Sequence, residues 1–394
     1  MRGSRFNAVM TKEFSPALNL AIELISKPSV TPIDAGALDV VEARLSALGF
    51  RCKRYPFGEG AARVDNLYAR LGDSVPNFCF AGHVDVVPAG EAASWSEGPF
   101  DGTVKDGQLW GRGAADMKGA IASFIAAVEA YLATETPKGS ISFLITGDEE
   151  GVAIHGTKPL LAAIAAEGEV IDDCLVGEPT NPNQMGEMVK NGRRGSLNCE
   201  VTVTGTQGHV AYPHLSLNPA PKLVEILSTI TARHLDDGNE FFQPSNLEIT
   251  TMDIGNPTEN MIPESAFARF NIRFNTHHSG AELSAWIDEV LAAARVEFDG
   301  QIERVIRISG ESFMTDPCKL TDVVQSAAED VLGRRPELST SGGTSDARFI
   351  THYANVVEFG LVGATMHQVN ERVDVADIDA LTEIYQAVLR RYFA

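Results

Sequence analysis

The sequence predicts an α/β fold with a mixed, mostly parallel sheet flanked by helices, and an inserted α+β domain with an antiparallel sheet. In the first half of the chain, apolar segments typical of buried strands alternate with helical segments, an order that implies parallel strands covered by helices. From about residue 195, apolar residues instead recur at every second position, as in strands with one solvated face. We therefore assign residues 1–194 and 309–394 to one domain and residues 195–308 to the inserted domain.

The elements of the first domain follow from local sequence features. Ser15 followed by Pro16 is typical of a helix start. A second helix is expected from Ala37 to about Leu48, because Gly49 follows it. The remaining elements expected here are the helices Met117–Leu132 and Gly156–Ala166 and the strands Asn77–Ala81, Ile141–Ile145 and Cys174–Val176.

The inserted domain is predicted from two alternating segments. Leu197–Thr204 and Ala266–Phe274 each place apolar side chains on one face and polar side chains on the other. A long helix is expected between them, from about Pro219 to His234. Because such strands bury only one face, we expect an antiparallel sheet that carries helices on that face. Helix–strand alternation resumes after residue 308.

The composition favours a well-packed protein without a membrane or nucleic-acid partner. Of the 394 residues, 44% are hydrophobic, which is enough for a substantial core. No uninterrupted apolar run reaches ~18 residues, and the first residues lack the apolar stretch of a signal peptide, so we expect a cytoplasmic protein. The net charge of −21 argues against nucleic acid, which requires a basic surface. The five scattered cysteines, without CxxC spacing, indicate buried, unpaired thiols.

Acidic and histidine side chains recur where the predicted strands end, at the edge of the sheet where α/β proteins bind ligands. Individually, such residues are often structural pairs, helix caps or solvated charges, but together they predict a metal site. Their nitrogen and oxygen donors suit zinc, with cobalt or manganese as alternatives. Asp85, two residues after His83, is expected to hold the imidazole of His83. The residues are His83, Asp116, Glu149, Glu150, Glu178 and His367.

The charge balance favours two metal ions. If His83 and Glu178 bind one ion, Glu150 and His367 the other, and Asp116 bridges them, three carboxylates offset four positive charges. The excess of about one charge could be balanced by hydroxide, as in other hydrolytic two-metal sites. Glu149 is then free to act as a general base toward a water molecule. The residues alone leave open two alternatives: both Glu149 and Glu150 are ligands, or one of them only contacts a ligand without binding a metal ion.

These motifs resemble those of the M20 family of dizinc metallopeptidases and deacylases, from about Leu18 to Leu389. The family motifs are Gly82–Pro88, Gly111–Gly119, Asp148–Gly151 and Gly177–Thr180. The resemblance implies two Zn²⁺ ions, with Co²⁺ able to replace one or both, and a cis peptide bond after Asp116. It implies metal binding by His83, Asp116, Glu150, Glu178 and His367, a general-base role for Glu149, and a role for Asp85 in orienting His83.

Three further segments are similar to those of family members that hydrolyse N-succinyl-LL-2,6-diaminopimelate in lysine biosynthesis. They are Lys190–Ser196, Gly205–His214 and Ser341–Arg348. The resemblance implies that this small molecule is cleaved to succinate and LL-2,6-diaminopimelate. Because the substrate carries three carboxylates, we expect arginine forks and hydrogen-bond donors around it. The candidates are Arg193, Arg194, Ser196, Tyr212, Asn260, Arg273, Thr344 and Arg348.

The resemblance also implies that His209 stabilises the oxyanion in the active site of a partner subunit, within a homodimer formed through the inserted domain. Gly363 departs from the asparagine that is frequent in the family, so one side-chain contact with substrate is expected to be absent or replaced by water. One alternative is a related deacylase acting on another acyl-amino acid, such as N-acetylornithine. Another is a non-catalytic metal-binding interaction protein, which would not require Glu149. Nucleotide binding is disfavoured because Gly111–Gly119 lacks the P-loop Gly-Lys-Ser/Thr.

Overall fold

The computed structural model describes residues 14–394, which form two compact units. The first unit comprises the chain up to Val189, Cys318–Glu337 and Tyr353–Ala394, and the second comprises Lys190–Pro317 and Leu338–His352. The predicted inserted domain, residues 195–308, falls within the second unit. The N-terminal residues on which the expected absence of a signal peptide rested lie outside the described range. Between residues 14 and 394, no helix is long and apolar enough to cross a membrane.

The first unit is built on a mixed sheet whose central strands are parallel. Asn77–His83 runs parallel to both of its neighbours, Ser140–Thr146 and Asp173–Val176, and the latter runs parallel to Asn355–Glu358. The strands Asn77–His83 and Ser140–Thr146 are buried along their whole length, as expected inside a parallel sheet. The order across the sheet is Arg51–Arg54, Leu67–Leu71, Ser140–Thr146, Asn77–His83, Asp173–Val176, Asn355–Glu358, Met188–Lys190 and Glu337–Ser339.

The helices of this unit pack tightly with one another and with the sheet. The Ser15 side chain accepts a hydrogen bond from the backbone nitrogen of Leu18 at 3.3 Å, which confirms the predicted helix start. The central helix Gly119–Leu132 is almost wholly buried, and Phe124 stacks on Phe80 of the sheet with ring centroids 4.3 Å apart. The helices are Pro16–Ile25, Ala37–Ala47, Gly119–Leu132, Thr157–Ala166, Lys319–Leu332 and Val375–Tyr392.

A small antiparallel sheet joins two distant parts of the chain within this unit. Its strands, in order, are Arg372–Asp374, Gln108–Trp110 and Thr103–Lys105. Trp110 lies opposite Arg372, so the loop that follows Trp110 begins beside the point where the loop that precedes Arg372 ends. The first loop carries Asp116 and the second carries His367. The small sheet therefore positions two of the predicted ligands near one another.

The second unit contains the antiparallel sheet that the alternating segments predict. Its strands, in order, are Asn246–Asp253, Ser265–Phe274, Gly195–Thr204 and Gln301–Gly310. The alternating segments form the central pair, whereas the two outer strands were not predicted, because most of their side chains are exposed. The helices Pro219–Thr231 and Gly280–Val296 share one apolar core with the central strands. Shorter elements are the strand pairs Gly192–Arg193 with Phe313–Met314 and Gly208–His209 with Met261–Ile262, and the helix Ala347–Ile350.

The five cysteines are all unpaired, as their spacing predicts. Cys79, Cys174 and Cys199 are buried. The expectation of burial is wrong for Cys52 and Cys318, which are partly exposed. Cys52 lies on the edge strand Arg51–Arg54, where side chains are in part accessible to solvent.

Candidate metal centre

Three neighbouring parallel strands bring predicted ligands to one edge of the large sheet. His83 is the last residue of its strand and is buried. Glu149 and Glu150 follow the strand Ser140–Thr146, and Glu178 follows Asp173–Val176. Because parallel strands end at the same edge, these side chains converge there.

Asp116 lies in an irregular segment just before the central helix. The backbone angles of Asp116 (φ −124°, ψ 96°) and Met117 (φ −133°, ψ 28°) are not helical. The peptide bond between them is cis, as the resemblance implies. The helix begins at Gly119 rather than at the predicted Met117, and Asp116 is not its cap. The Asp116 carboxylate instead faces two histidines, with Oδ1 3.1 Å from His83 Nε2 and Oδ2 3.3 Å from His367 Nε2.

Two groups of candidate ligand atoms share Asp116. His83, Asp116 and Glu178 form one group, and Asp116, Glu150 and His367 form the other, with the ligand atoms of each group within 4.8 Å of one another. His367 Nε2 lies 2.9 Å from Glu150 Oε1, and His83 Nε2 lies 3.7 Å from Glu178 Oε1. The two Asp116 oxygens face different groups, an arrangement that suits a carboxylate shared by two cations. The structure thus brings together the five residues expected as ligands.

The Glu149 side chain lies at the same centre. A third group of ligand atoms, from His83, Glu149 and Glu150, satisfies the same distance limit. Both glutamates are half-buried. This position of the Glu149 carboxylate is compatible both with a general base and with an additional metal ligand.

Asp85 contacts the site differently from the prediction. Nδ1 of His83 donates to the backbone carbonyl of Asp85 at 2.9 Å, whereas the Asp85 carboxylate lies 3.7 Å away. The strand ends at His83, so the two-residue alternation behind the expected pairing does not continue to Asp85. The buried carboxylate instead accepts hydrogen bonds from the backbone nitrogens of Glu149 (3.3 Å) and Glu150 (3.0 Å). Because a carbonyl can only accept, Nδ1 of neutral His83 carries the proton and Nε2 is available as a ligand.

Burial, hydrogen bonds and neighbouring charges shift the pKa values of the candidate ligands in different directions. Burial raises the pKa of Glu178 well above its ordinary value, and the adjacent Asp116 adds to the effect. Burial opposes ionisation of Asp116 too, but hydrogen bonds with His367 and His83 more than offset it and lower the pKa of Asp116. The contacts with Asp116 and Glu150 raise the pKa of His367 to about 10. Divalent cations would displace protons from these groups, since metals bind neutral imidazole and ionised carboxylate.

Arginines of the second unit cluster near one end of its sheet. Arg273 lies opposite Ser196 on one side and Asn246 on the other. Arg194 donates to the Asn246 side chain at 2.9 Å. Burial lowers the pKa of Arg273, and the neighbouring Arg194 adds to this. Among the described residues, Nη1 of Arg273 is buried without a hydrogen-bond partner.

Three further predicted binding residues, Arg193, Thr344 and Arg348, lie in or beside the segment 341–348 of the same unit. Arg193 is buried and donates to the carbonyl of Gly343 at 3.0 Å, next to the half-buried Thr344. Gly342 has a φ of +107°, and a Cβ there would lie 2.9 Å from Arg193 Nη1. Arg348 is buried, with its guanidinium 4.5 Å from the ring centroid of Phe349. The missing side chain at Gly342 therefore permits the close approach of Arg193 to this segment.

His209, Tyr212 and Asn260 are exposed residues of the second unit. The backbone nitrogen of Ala211 donates to His209 Nδ1 at 3.0 Å, so in the neutral ring Nε2 carries the proton. The rings of His209 and Tyr212 lie 5.6 Å apart, and the Asn260 carbonyl accepts a hydrogen bond from Val210. His209 therefore provides an N–H donor at an exposed position.

Gly363, the departure from the family pattern, lies against the main chain. Its nitrogen donates to the carbonyl of Asn181 at 2.9 Å. A Cβ at this position would lie 3.2 Å from the Pro179 carbonyl oxygen and 3.3 Å from the Met366 sulfur. An asparagine would fit here only if these neighbours moved by a few tenths of an ångström.

Two charged residues beside the centre were missed by the sequence analysis. Arg112 and Glu371 form a buried ion pair, with Nη1 and Oε2 2.8 Å apart. Arg112 lies inside the Gly111–Gly119 motif, and Glu371 follows His367 by four residues. This proximity to two predicted ligands was the only signal in the sequence.

The chain is similar to curated proteins over nearly its full length. Residues 79–391 match the family model of peptidase family M20/M25/M40. A succinyl-diaminopimelate desuccinylase from Maricaulis maris (strain MCS10) is 60% identical over 384 residues, which cover 98% of this chain and 97% of the relative. A protein of the same name from Caulobacter vibrioides (strain NA1000 / CB15N) is 58% identical over 377 residues, 96% of each chain.

Solved structures share the fold at much lower identity. A metallo-carboxypeptidase of the M20 family from Sulfolobus solfataricus superposes with a TM-score of 0.80 at 17% identity, covering 96% of this chain and 99% of the other. A dinuclear metal-binding peptidase of the M20 family from Bacillus subtilis gives a TM-score of 0.68 at 16% identity, with 96% and 98% covered. The predicted fold class is confirmed. The chain belongs to peptidase family M20/M25/M40.

Proposed function

We propose that the chain is a metal-dependent amide hydrolase that cleaves N-succinyl-LL-2,6-diaminopimelate into succinate and LL-2,6-diaminopimelate. The observation that carries this proposal is the pair of ligand groups joined by Asp116. It occurs in a chain that is 60% identical to a relative named for this activity. A deacylase for another acyl-amino acid would use the same centre but a different binding pocket.

The donor set fits two divalent cations. His83, Asp116 and Glu178 would hold one, and Asp116, Glu150 and His367 the other. Imidazole and carboxylate donors suit zinc, and cobalt can replace it at one or both positions. When bound, such ions polarise an amide carbonyl and lower the pKa of water toward ~7.

Glu149 is the proposed general base. It takes a proton from the attacking water and delivers it to the leaving amine, which requires a carboxylate held beside the centre. The hydrogen bonds from the backbone nitrogens of Glu149 and Glu150 to Asp85 hold it there. Such acid–base catalysis contributes about 10²- to 10⁴-fold in rate. A non-catalytic metal-binding protein would have no use for this additional carboxylate.

His209 is proposed to stabilise the oxyanion in a second copy of the chain, within a homodimer formed through the second unit. Its exposed Nε2–H donor supports this role, and a lost oxyanion donor typically costs about 10²- to 10³-fold in rate. Val210, Tyr212 and Leu215 beside it are exposed apolar residues, as is frequent at protein interfaces.

The arginines of the second unit are proposed to bind the substrate carboxylates. The buried, unpartnered Nη1 of Arg273, as seen within the described residues, supports this, because a guanidinium fork matches a carboxylate. Arg193 and Arg348 would add positive charge, and hydrogen bonds would come from Ser196, Tyr212, Asn260 and Thr344. The unpaired cysteines and the biosynthetic substrate favour the cytoplasm.

A paired hydrolysis assay tests the substrate assignment. Zinc-loaded protein is compared on N-succinyl-LL-2,6-diaminopimelate and N-acetylornithine, with chelated protein as the control. We expect chelator-sensitive turnover of the succinylated substrate only. Preferential turnover of N-acetylornithine would contradict the proposed pocket, and turnover of neither substrate would contradict the proposed cleavage of N-succinyl-LL-2,6-diaminopimelate.

A further inference from the structure

The carboxylate of Glu371 has contacts that the proposed catalytic roles do not use. Oε2 accepts hydrogen bonds from Arg112 Nη1 at 2.8 Å and from the backbone nitrogen of Gly113 at 3.1 Å. Oε1 accepts from the backbone nitrogens of Ala115 at 2.9 Å and Asp116 at 3.2 Å. Glu371 is completely buried. Its side chain therefore anchors the main chain of the candidate bridging residue, Asp116.

Arg112 extends this contact to the segment that carries His367. Its Nη1 also donates to the backbone carbonyl of Gln368, the residue that follows His367, at 3.2 Å. Its Nη2 donates to the Pro88 carbonyl at 3.4 Å, and the guanidinium lies 5.2 Å from the ring centroid of Trp95. Arg112 is 2% exposed, so solvent does not screen these contacts.

The segment that carries His367 is closed by a second set of hydrogen bonds. The Thr365 hydroxyl donates to the Arg372 carbonyl at 2.8 Å and accepts from the Arg372 nitrogen at 3.0 Å. The carbonyl of Glu371 also accepts a hydrogen bond from the Gly111 nitrogen at 3.0 Å. The loops of Asp116 and His367 are thus joined through Glu371 and Arg112.

We propose that Glu371 and Arg112 are positioning residues that set the distance between the two ligand groups of the metal centre. This inference rests on the proposed function, because it assumes that both groups bind cations. Asp116 belongs to both groups, whereas His367 belongs to one. A contact that fixes Asp116 relative to His367 therefore fixes the second group relative to the first.

The chemistry of the contact requires a carboxylate. Four N–H donors converge on the two oxygens of Glu371, and a carboxylate is a pure acceptor. In Glu371→Gln, the amide NH₂ would face either Arg112 and Gly113 or Ala115 and Asp116, all of which donate. One side of the contact would be lost without any large change in volume. Substitution of a residue that holds a metal ligand in place typically lowers metal affinity or activity by about 10- to 100-fold.

Zinc affinity separates positioning from simple stabilisation. Metal-free wild type and Glu371→Gln are titrated with Zn²⁺ against a competing chelator, under conditions in which circular dichroism shows both folded. We expect two zinc ions in wild type and about 10- to 100-fold weaker binding of at least one ion in Glu371→Gln. With N-succinyl-LL-2,6-diaminopimelate, kcat should fall while KM changes little.

Asp236→Asn is the matched control. The Asp236 carboxylate also accepts from backbone nitrogens, of Gly238 at 2.7 Å and Ser245 at 3.2 Å, and from the Asn275 side chain at 2.6 Å. It lies in the second unit and contacts none of the candidate ligands. We expect this variant to be less stable but to bind zinc as wild type does.

Arg112→Lys provides a second test if Glu371→Gln fails to fold. A lysine keeps the positive charge beside Glu371 but cannot also donate to Gln368 and Pro88 in the same geometry. We expect weaker zinc binding in this variant too. Wild-type zinc affinities in either folded variant would overturn the inference. A wild-type protein that binds no zinc would instead overturn the proposed function on which the inference rests.

Discussion

The Asp85 carboxylate accepts a hydrogen bond from the backbone nitrogen of Glu150 at 3.0 Å. Its other oxygen accepts from the adjacent Glu149 nitrogen, and its backbone carbonyl accepts from the His83 ring. The buried Asp85 therefore connects His83, at the end of one strand, with Glu149 and Glu150, which follow the neighbouring strand. The connection orients both glutamates through their main chain.

Replacement of Asp85 by asparagine should loosen this connection. The amide NH₂ would face one of the two backbone N–H groups, so that one hydrogen bond is lost. We expect a folded Asp85→Asn protein that retains the hydrogen bond from His83 to the backbone carbonyl but turns over about 10- to 100-fold more slowly. The measurement is kcat together with zinc content. Wild-type kcat would show that the carboxylate does not position the glutamates.

Glu149→Gln should separate catalysis from metal binding. If Glu149 is the base, the amide cannot accept the proton, and kcat should fall by about 10²- to 10⁴-fold. Zinc content, measured by elemental analysis after dialysis, should stay at the wild-type value. Loss of a zinc ion would make Glu149 a ligand, and normal turnover would exclude it as the base.

Arg273→Ala should weaken substrate binding. The substitution removes a guanidinium whose Nη1 has no protein partner among the described residues. Loss of a hydrogen bond to a charged group, worth about 1.5–3 kcal/mol, corresponds to a rise in KM of roughly 10- to 100-fold for the succinylated substrate. Arg269→Ala, an exposed arginine on the same strand, is the control and should leave KM unchanged. An unchanged KM in Arg273→Ala would remove Arg273 from the pocket.

Asp236 should give a pH-dependent contribution to stability that is separate from the metal centre. Burial opposes its ionisation, but hydrogen bonds from Ser245, Gly238 and Asn275 outweigh this and lower the pKa of Asp236. A carboxyl with a lowered folded-state pKa stabilises the fold above its unfolded value of about 3.9 and loses this contribution as the pH falls further.

Asp236→Asn should therefore lower the free energy of unfolding by about 1.5–3 kcal/mol at pH 7. The difference from wild type should shrink below pH ~4. Urea unfolding of the metal-free proteins across this pH range measures the effect. A difference that stays constant into the acid range would contradict the lowered pKa.

The candidate ligands could be predicted because parallel strands end at the same edge. This rule alone places His83, Glu150 and Glu178 together. The alternation of apolar and polar residues was likewise enough to predict the two central strands of the second unit. The resemblance supplied the cis peptide bond after Asp116, which no local pattern indicates.

The remaining contacts depend on tertiary structure. Asp85 lies beyond the end of its strand, so alternation could not show that its carboxylate binds the Glu149 and Glu150 backbone. Glu371 binds main-chain nitrogens of a segment far away in sequence, and main-chain donors leave no residue signature. The outer strands of the second unit were missed because exposed strands lack a clear apolar alternation.

A zinc titration of the metal-free protein tests the central claim most directly. Zn²⁺ is added in small steps while bound zinc and the hydrolysis of N-succinyl-LL-2,6-diaminopimelate are measured on the same samples. A two-metal amide hydrolase should be inactive without metal, bind two zinc ions per chain and gain activity as they bind. Full activity in the metal-free protein, or saturation without hydrolysis, would contradict the account.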